Sequence, residues 1–413
     1  MKLKKISPLF LKKIEDPKQK ASKGYKVIIS FKKISERDKF ISKNKDLKIR
    51  NTFDLIPALS VQLNKDNIFK FENEDSIEQI EEDQRLFLSI LEINQILNID
   101  NYKRSQISYT GKNINVGIID EGINSKFQAI RNISKNYFNK SGIFPNEITH
   151  GTLMASIIAN QYKNDEANYI GIAPNVKLID FNIANSQKEY YVSHILSVFD
   201  VILNENSKLD LLLISFSTSE PSDGKDILSQ ACNLLVDSGI IIVCPAGNDG
   251  SDSHTIGSPS AASKVISFGA VNKELEMENY SKKGPTIDNR MKPDFCYPGT
   301  EIKVPLDKDL VVMVTGTSVA AAIGVGLIAL LREYNNDLTY DVIYDILRNS
   351  SKDLGIEKSS QGHGMPDIVD IFKRMKLFHE RIVPYNVLAK RAIKISIEFI
   401  ILFLVIYFLF LIF

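Results

Sequence analysis

The sequence predicts an α/β fold: a mostly parallel sheet with helices on both faces, preceded by a small α+β domain of ferredoxin-like order and followed by one C-terminal transmembrane helix. Three observations predict it. Beyond about Asn101, short near-continuous apolar runs alternate with helix-length segments, the pattern of parallel strands buried on both faces. Residues 26–84 read as strands and helices in the order β-α-β-β-α-β. Residues 399–413 form an unbroken apolar run. At 413 residues the chain exceeds the roughly 250–300 at which a single core stops growing, so more than one folded unit is expected.

Residues 1–25 form a basic arm whose apolar patch, 6–11, is interrupted by Ser7 and Pro8 and closed by Lys12 and Lys13. The patch is shorter than the roughly 7–15 residue core of a secretory signal, so a solvated arm and no export are expected. In the small domain, residues 26–31 (KVIISF) suit a strand, and Ser35 with Asp38 opens a helix to about Lys43. Residues 47–55 and 58–63 read as strands around Pro57, 66–71 as a helix and 76–81 as a last strand. Residues 72–83 carry seven acids and no Lys or Arg, which predicts a solvated edge or linker.

The large domain spans residues 93–373. Its strands are expected at 114–120, 176–184, 209–215 and 240–243, with helices after His150, at 193–203 and from about Lys225. Residues 319–331 are apolar all round, but about thirteen residues cannot span a bilayer, so a buried central helix is expected. Residues 374–394 are a basic linker, and 395–413 offer about nineteen residues, roughly 28 Å of helix, enough to cross a hydrocarbon core. Lys373, Arg374, Lys376, Arg381, Lys390, Arg391 and Lys394 precede this run, which predicts a membrane anchor with the folded part on the cytoplasmic face.

Lys+Arg 51 against Asp+Glu 50 leaves a net charge of +1, so no field draws the chain to nucleic acid. The three cysteines, Cys232, Cys244 and Cys296, are odd in number and widely spaced, which excludes a disulfide scaffold or a four-sulfur zinc site.

Four segments carry features that core packing does not require. Residues 114–123 (INVGIIDEGI) drive an apolar strand into Asp120, at the carboxyl end where open α/β sheets place their crevice. Residues 149–156 (THGTLMAS) start a small-residue helix at His150, and residues 244–250 (CPAGNDG) present Asn248 on a glycine-flanked turn. Residues 315–322 (TGTSVAAA) set Ser318 at the start of the buried helix, where amide donors and the dipole favour a developing oxyanion. Each has a bland reading as a turn acid, helix cap or turn amide. Together they supply a hydroxyl nucleophile, an imidazole base, a carboxylate and an amide donor, sufficient for acyl transfer.

On Asp120-Glu121-Gly122, His150-Gly151-Thr152 and Gly316-Thr317-Ser318-Val319-Ala320, supported by residues 171–174 (GIAP) and 292–299 (KPDFCYPG), the chain resembles the subtilisin-like serine peptidases over about residues 93–373. The resemblance implies Ser318 as nucleophile, His150 as general acid and base, Asp120 as orienting carboxylate and Asn248 as oxyanion donor. It also implies that an extended peptide or protein substrate lies along residues 213–218, with Ser215, Phe216, Ser217 and Asp249 as substrate-binding residues, Asp249 favouring a basic residue before the scissile bond.

Several residues depart from the family pattern. Phe216-Ser217-Thr218 stands where Leu-Gly-Gly is usual and is expected to crowd the peptide with side chains where glycine lets it approach closely, Glu121 replaces a Ser or Thr, and Ala322 replaces a Pro. Lys126-Phe127-Gln128 replaces an acidic segment that often supplies calcium, so the sequence does not support a calcium site like that of secreted members, and no other cofactor is expected. Residues 26–84 resemble the family's inhibitory propeptide, whose sheet covers the cleft and whose tail runs through it. The implied function is a serine endopeptidase made as a proenzyme and tail-anchored in a membrane; the alternatives are a leader peptidase for ribosomally made modified peptides, or a silent peptide-binding scaffold.

Overall fold

The computed structural model describes residues 5–15, 24–88, 109–137, 147–161, 171–184, 189–204, 208–250, 252–307, 310–368, 370–372 and 374. The chain divides into two compact units, residues 1–366 and 367–413. Of the second, the described part holds Arg374 against Asp370 at 2.6 Å. The apolar run 395–413 and most of the basic linker lie outside the described residues.

The N-terminal part contains α1 (Pro8–Glu15), β1 (Tyr25–Phe31), α2 (Ile34–Lys43), β2 (Ile49–Phe53), β3 (Ala58–Leu63), α3 (Lys65–Glu72) and β4 (Ile77–Glu82). Its four strands form one antiparallel sheet in the order β2-β3-β1-β4. Val27, Ile29, Leu59, Val61, Phe40, Phe71 and Ile80 form a separate core there. The expectation of a solvated arm fails over residues 5–15. Ile6, in a bridge to Ile80, and Phe10 and Ile14, four residues apart on one face of α1, bury themselves in this core. Lys13 stays outside and pairs with Glu82 at 2.7 Å.

The acidic run is likewise not a solvated edge throughout. Glu81 and Asp83 are 8% and 3% exposed. They reach the amino ends of two helices of the larger part, α5 and α6, whose ranges follow.

After β5 (Arg85–Leu88) come β6 (Asn115–Asp120), β7 (Ile133–Tyr137), α4 (His150–Ala159), β8 (Lys177–Asn182), β9 (Tyr190–Tyr191), α5 (Val192–Asn204), β10 (Leu211–Ile214) and β11 (Phe216–Thr218). They are followed by α6 (Ile227–Asp237), β12 (Ile241–Pro245), β13 (Ile266–Val271), β14 (Phe295–Pro298), β15 (Ile302–Asp307), β16 (Leu310–Val314), α7 (Thr317–Tyr334) and α8 (Tyr340–Asn349). Seven strands form a parallel sheet in the order β14-β13-β12-β10-β6-β8-β7. The strands expected from sequence are present within a few residues of their expected ends, whereas β7, β13 and β14 were not anticipated.

Helix α7 packs on β10, β12, β13 and β14 and against α4. At 18 residues it is longer than expected and apolar enough by length alone to cross a membrane, yet 83% of it is buried inside the fold. Small residues permit that depth: a methyl group on Gly324 would stand 2.4 Å from the Phe268 ring. Helices α5 and α6 pack against each other, and their buried residues share a core with β10 and β12.

The two parts meet through carboxyl groups that accept hydrogen bonds at helix ends. Asp83 accepts from Ser193 N at 3.0 Å and from Ser193 Oγ at 2.8 Å, and Glu81 accepts from Ile227 N at 3.1 Å. First-turn amides lack intrahelical partners, so carboxyl oxygens fit there as acceptors. Burial and then the charge of Asp226 push the Glu81 carboxyl up to about 8. In return Asp200 on α5 accepts from Leu55 N at 2.9 Å and Asp54 N at 3.1 Å.

Candidate active site

Apolar pairing of β6 with β8 and β10 carries Asp120 to the carboxyl edge of the sheet, where it is fully buried. Its Oδ2 lies 2.8 Å from His150 Nδ1, and its Oδ1 accepts from Glu121 N at 2.7 Å. His150 begins α4, and Thr149 holds that helix start against the loop after β6. Thr149 Oγ1 donates to Gly122 O at 2.6 Å and accepts from Thr152 N at 3.2 Å. The approach is close enough to require glycine next to the histidine: a methyl group on Gly151 would lie 2.6 Å from Gly122 O and 3.0 Å from Asp120 Cβ.

His150 Nε2 lies 3.0 Å from Ser318 Oγ, in the first turn of α7. Asp120, His150 and Ser318 therefore form one line of hydrogen-bonded groups, buried and 168 residues apart at the last step. Burial lowers the pKa of His150, but the charge and hydrogen bond of Asp120, with Glu121 adding, leave it raised above the ordinary value. A carboxylate on Nδ1 keeps Nε2 as the acceptor facing the hydroxyl, which is the arrangement a general base needs.

Asn248 follows β12, and its Oδ1 accepts from Thr317 N at 3.0 Å and Thr317 Oγ1 at 2.7 Å. The amide is thereby oriented, and among the described residues its buried Nδ2 has no hydrogen-bond partner. A buried donor left open is costly unless something negative arrives to accept from it. Thr317, which also accepts from Gly247 N at 3.2 Å, was not singled out from the sequence. Its place beside Ser318 was the available signal.

Glu121, noted only as a departure, accepts from His150 N at 3.2 Å and from Tyr190 Oη at 2.6 Å. It joins the histidine helix to β9. Asp180 lies behind the site, pushed up to about 7 by burial and then by the charge of Asp120. Among the described residues no three His, Cys, Asp or Glu side chains gather as metal ligands.

The groove is a three-stranded antiparallel sheet in the order β11-β5-β9. Leu86, Phe87 and Leu88 pair with Thr218, Ser217 and Phe216, and Leu86 and Arg85 pair with Tyr190 and Tyr191. Segment 85–88 thus runs extended between two edges, pointing toward Ser215 at its carboxyl end.

Two expectations change here. Phe216 does not crowd a peptide: it is fully buried in the core with its ring 5.0 Å from that of Tyr190, leaving the backbone of β11 to pair. Thr218 is also turned away, its Oγ1 donating to Glu220 O and accepting from Ser258 N. Ser215 and Ser217 are buried in the wall. Asp249 is not a free charge for a basic side chain, because Lys282 Nζ lies 3.2 Å from its carboxylate. The cysteines are free and buried.

Comparison with known proteins gives a consistent picture. The Subtilase family profile matches residues 111–365. The serine protease AprX of Bacillus subtilis is 25% identical over 392 residues, covering 84% of this chain and 87% of that protein. The human membrane-bound transcription factor site-1 protease is 26% identical over 282 residues, 65% of this chain and 26% of its own length. Among solved structures, fervidolysin of Fervidobacterium pennivorans superposes with a TM-score of 0.65 at 17% identity. That match covers 84% of this chain and 61% of fervidolysin, and it speaks for the fold.

Proposed function

Because the chain belongs to the subtilase family and is a subtilisin-like serine endopeptidase, we propose that Ser318, His150, Asp120 and Asn248 carry the reaction and that residues 1–89 act as its inhibitory leader. The observation that carries the first part is the Asp120–His150–Ser318 line at 2.8 and 3.0 Å. Ser318 Oγ attacks the scissile carbonyl as its proton passes to His150 Nε2. Asp120 holds the resulting imidazolium. The oxyanion lies between Asn248 Nδ2, the open donor, and the Ser318 backbone N–H at the start of α7. His150 then returns the proton to the leaving amine, and the ester on Ser318 is hydrolysed by water along the reverse path.

The pairing of segment 85–88 between β11 and β9 supports the leader assignment, since a substrate strand would need the same two edges. A chain in this state excludes substrate, and cleavage beyond Leu88 frees the groove. Residues 395–413 complete the proposal as a membrane anchor with the peptidase facing the cytoplasm, on their composition and the basic residues before them.

Intact mass and fluorophosphonate labelling of the purified chain, beside Ser318→Ala, test the reading. The wild type is expected to lose its N-terminal part and to take up one label, and Ser318→Ala to do neither. Processing or hydrolysis of undiminished rate in Ser318→Ala would remove Ser318 from its role, while a labelled wild type that keeps Met1 would leave an accessory domain in place of a leader.

A further inference from the structure

A buried lysine lies against the turn that carries Asn248. Lys282 is 1% exposed, and its Nζ donates to Thr218 O at 3.0 Å and Ser219 O at 2.9 Å besides pairing with Asp249 at 3.2 Å. Its backbone N donates to Gly247 O at 3.0 Å. The side chain therefore runs across the gap between the wall ending in β11 and the turn after β12. A methyl group on Gly247 would lie 2.6 Å from Lys282 Cδ and 3.0 Å from Ser217 Oγ. Lysine methylenes on one side and a serine hydroxyl on the other thus close the space over Gly247.

That gap adjoins the chemistry. Gly247 N donates to Thr317 Oγ1, and Asn248 is held by Thr317, the residue before Ser318. An extended chain following the β5 register meets Ser217 at Phe87 and Phe216 at Leu88, so its next residue falls opposite Ser215. Side chains alternate along a strand, so this next residue shares its face with the one opposite Ser217. On the peptidase reading this residue is taken as the one whose carbonyl Ser318 attacks.

Resting on the peptidase reading, we propose that Lys282 determines specificity by closing this pocket, so that the enzyme cleaves after Gly, Ala or Ser. The ammonium is engaged by two carbonyls and a carboxylate, so the lysine acts through its volume and does not select acidic side chains. The leader's own sequence agrees. Ser89 follows β5, and self-processing is expected between Ser89 and Ile90.

The test uses the self-processed full-length protein, with active sites counted by fluorophosphonate, on peptides varied only at the residue before the scissile bond. Ala, Ser and Gly are expected to exceed Leu, Phe, Lys and Glu by at least about tenfold in kcat/KM. Lys282→Met keeps the volume without the charge and should keep this order. Lys282→Ala should raise Leu and Phe relative to Ala by about ten- to a hundredfold. N-terminal sequencing of processed wild type reads the same pocket without a variant, and Ile90 is the expected first residue. A wild type preferring Leu or Phe, an acidic preference lost in Lys282→Met, or a processed chain beginning at Ser89 or Leu91 would overturn the inference while leaving the peptidase intact. A chain that takes up no label would overturn both.

Discussion

The hold of the N-terminal part on the peptidase can be weakened at one residue by a calculable amount. Asp83→Ala removes the acceptor of Ser193 N and Ser193 Oγ, at 3.0 and 2.8 Å, from the amino end of α5. Losing a helix cap costs about 0.5–2 kcal/mol, and leaving buried donors open adds about 1–3 kcal/mol. Against this, burial raises the Asp83 pKa more than the two Ser193 bonds lower it, so the carboxylate already sits at a penalty. The net loss should be near the low end, about 2 kcal/mol, or roughly thirtyfold in affinity. The assay is inhibition of the processed enzyme by the separate fragment 1–89, which carries its own core from Ile6 to Ile80. Glu78→Ala, an exposed acid of the same run, serves as control and should change the inhibition constant less than about twofold. Equal inhibition by wild-type and Asp83→Ala fragments, or equal weakening by Glu78→Ala, would refute the argument that buried caps and not overall negative charge hold the two parts together.

Asn248→Ala should lower kcat about 10²–10³-fold with little change in KM, the range that loss of the oxyanion amide costs in subtilisin; an unchanged kcat would remove Asn248 from the oxyanion site. His150 must be neutral to act and its pKa is raised, because the Asp120 and Glu121 contributions outweigh burial. Activity should therefore fall as pH drops through a midpoint above the ordinary imidazole value of about 6.5, and a kcat/KM profile with its midpoint below that value would contradict the assigned pair. Deleting residues 395–413 should give a soluble, active peptidase, while the full chain should stay with membranes through a carbonate wash. Recovery of the full chain in the soluble fraction would count against the anchor.

The residues proposed to react could be picked out without a structure because chemistry is local to a residue type and its immediate motif. Asp120 ends an apolar strand, His150 opens a small-residue helix and Ser318 precedes a buried one. The alternation of strands and helices likewise announced the parallel sheet, since burial on both faces leaves a run of apolar residues in the chain itself. What the sequence could not contain is who stands opposite whom. Asp249 reads as a free charge until Lys282, 33 positions away, is seen against it at 3.2 Å. Phe216 reads as an obstruction until its ring is found in the core with the β11 backbone pairing to β5. Glu81 and Asp83 look like any other members of an acidic run, and only the approach of α5 and α6 turns them into caps. Ile6, Phe10 and Ile14 look like interruptions of a basic arm until the four-stranded sheet gives them a core to enter. In each case the deciding term is desolvation by a distant segment, which rewards or penalises a side chain according to its neighbours in space.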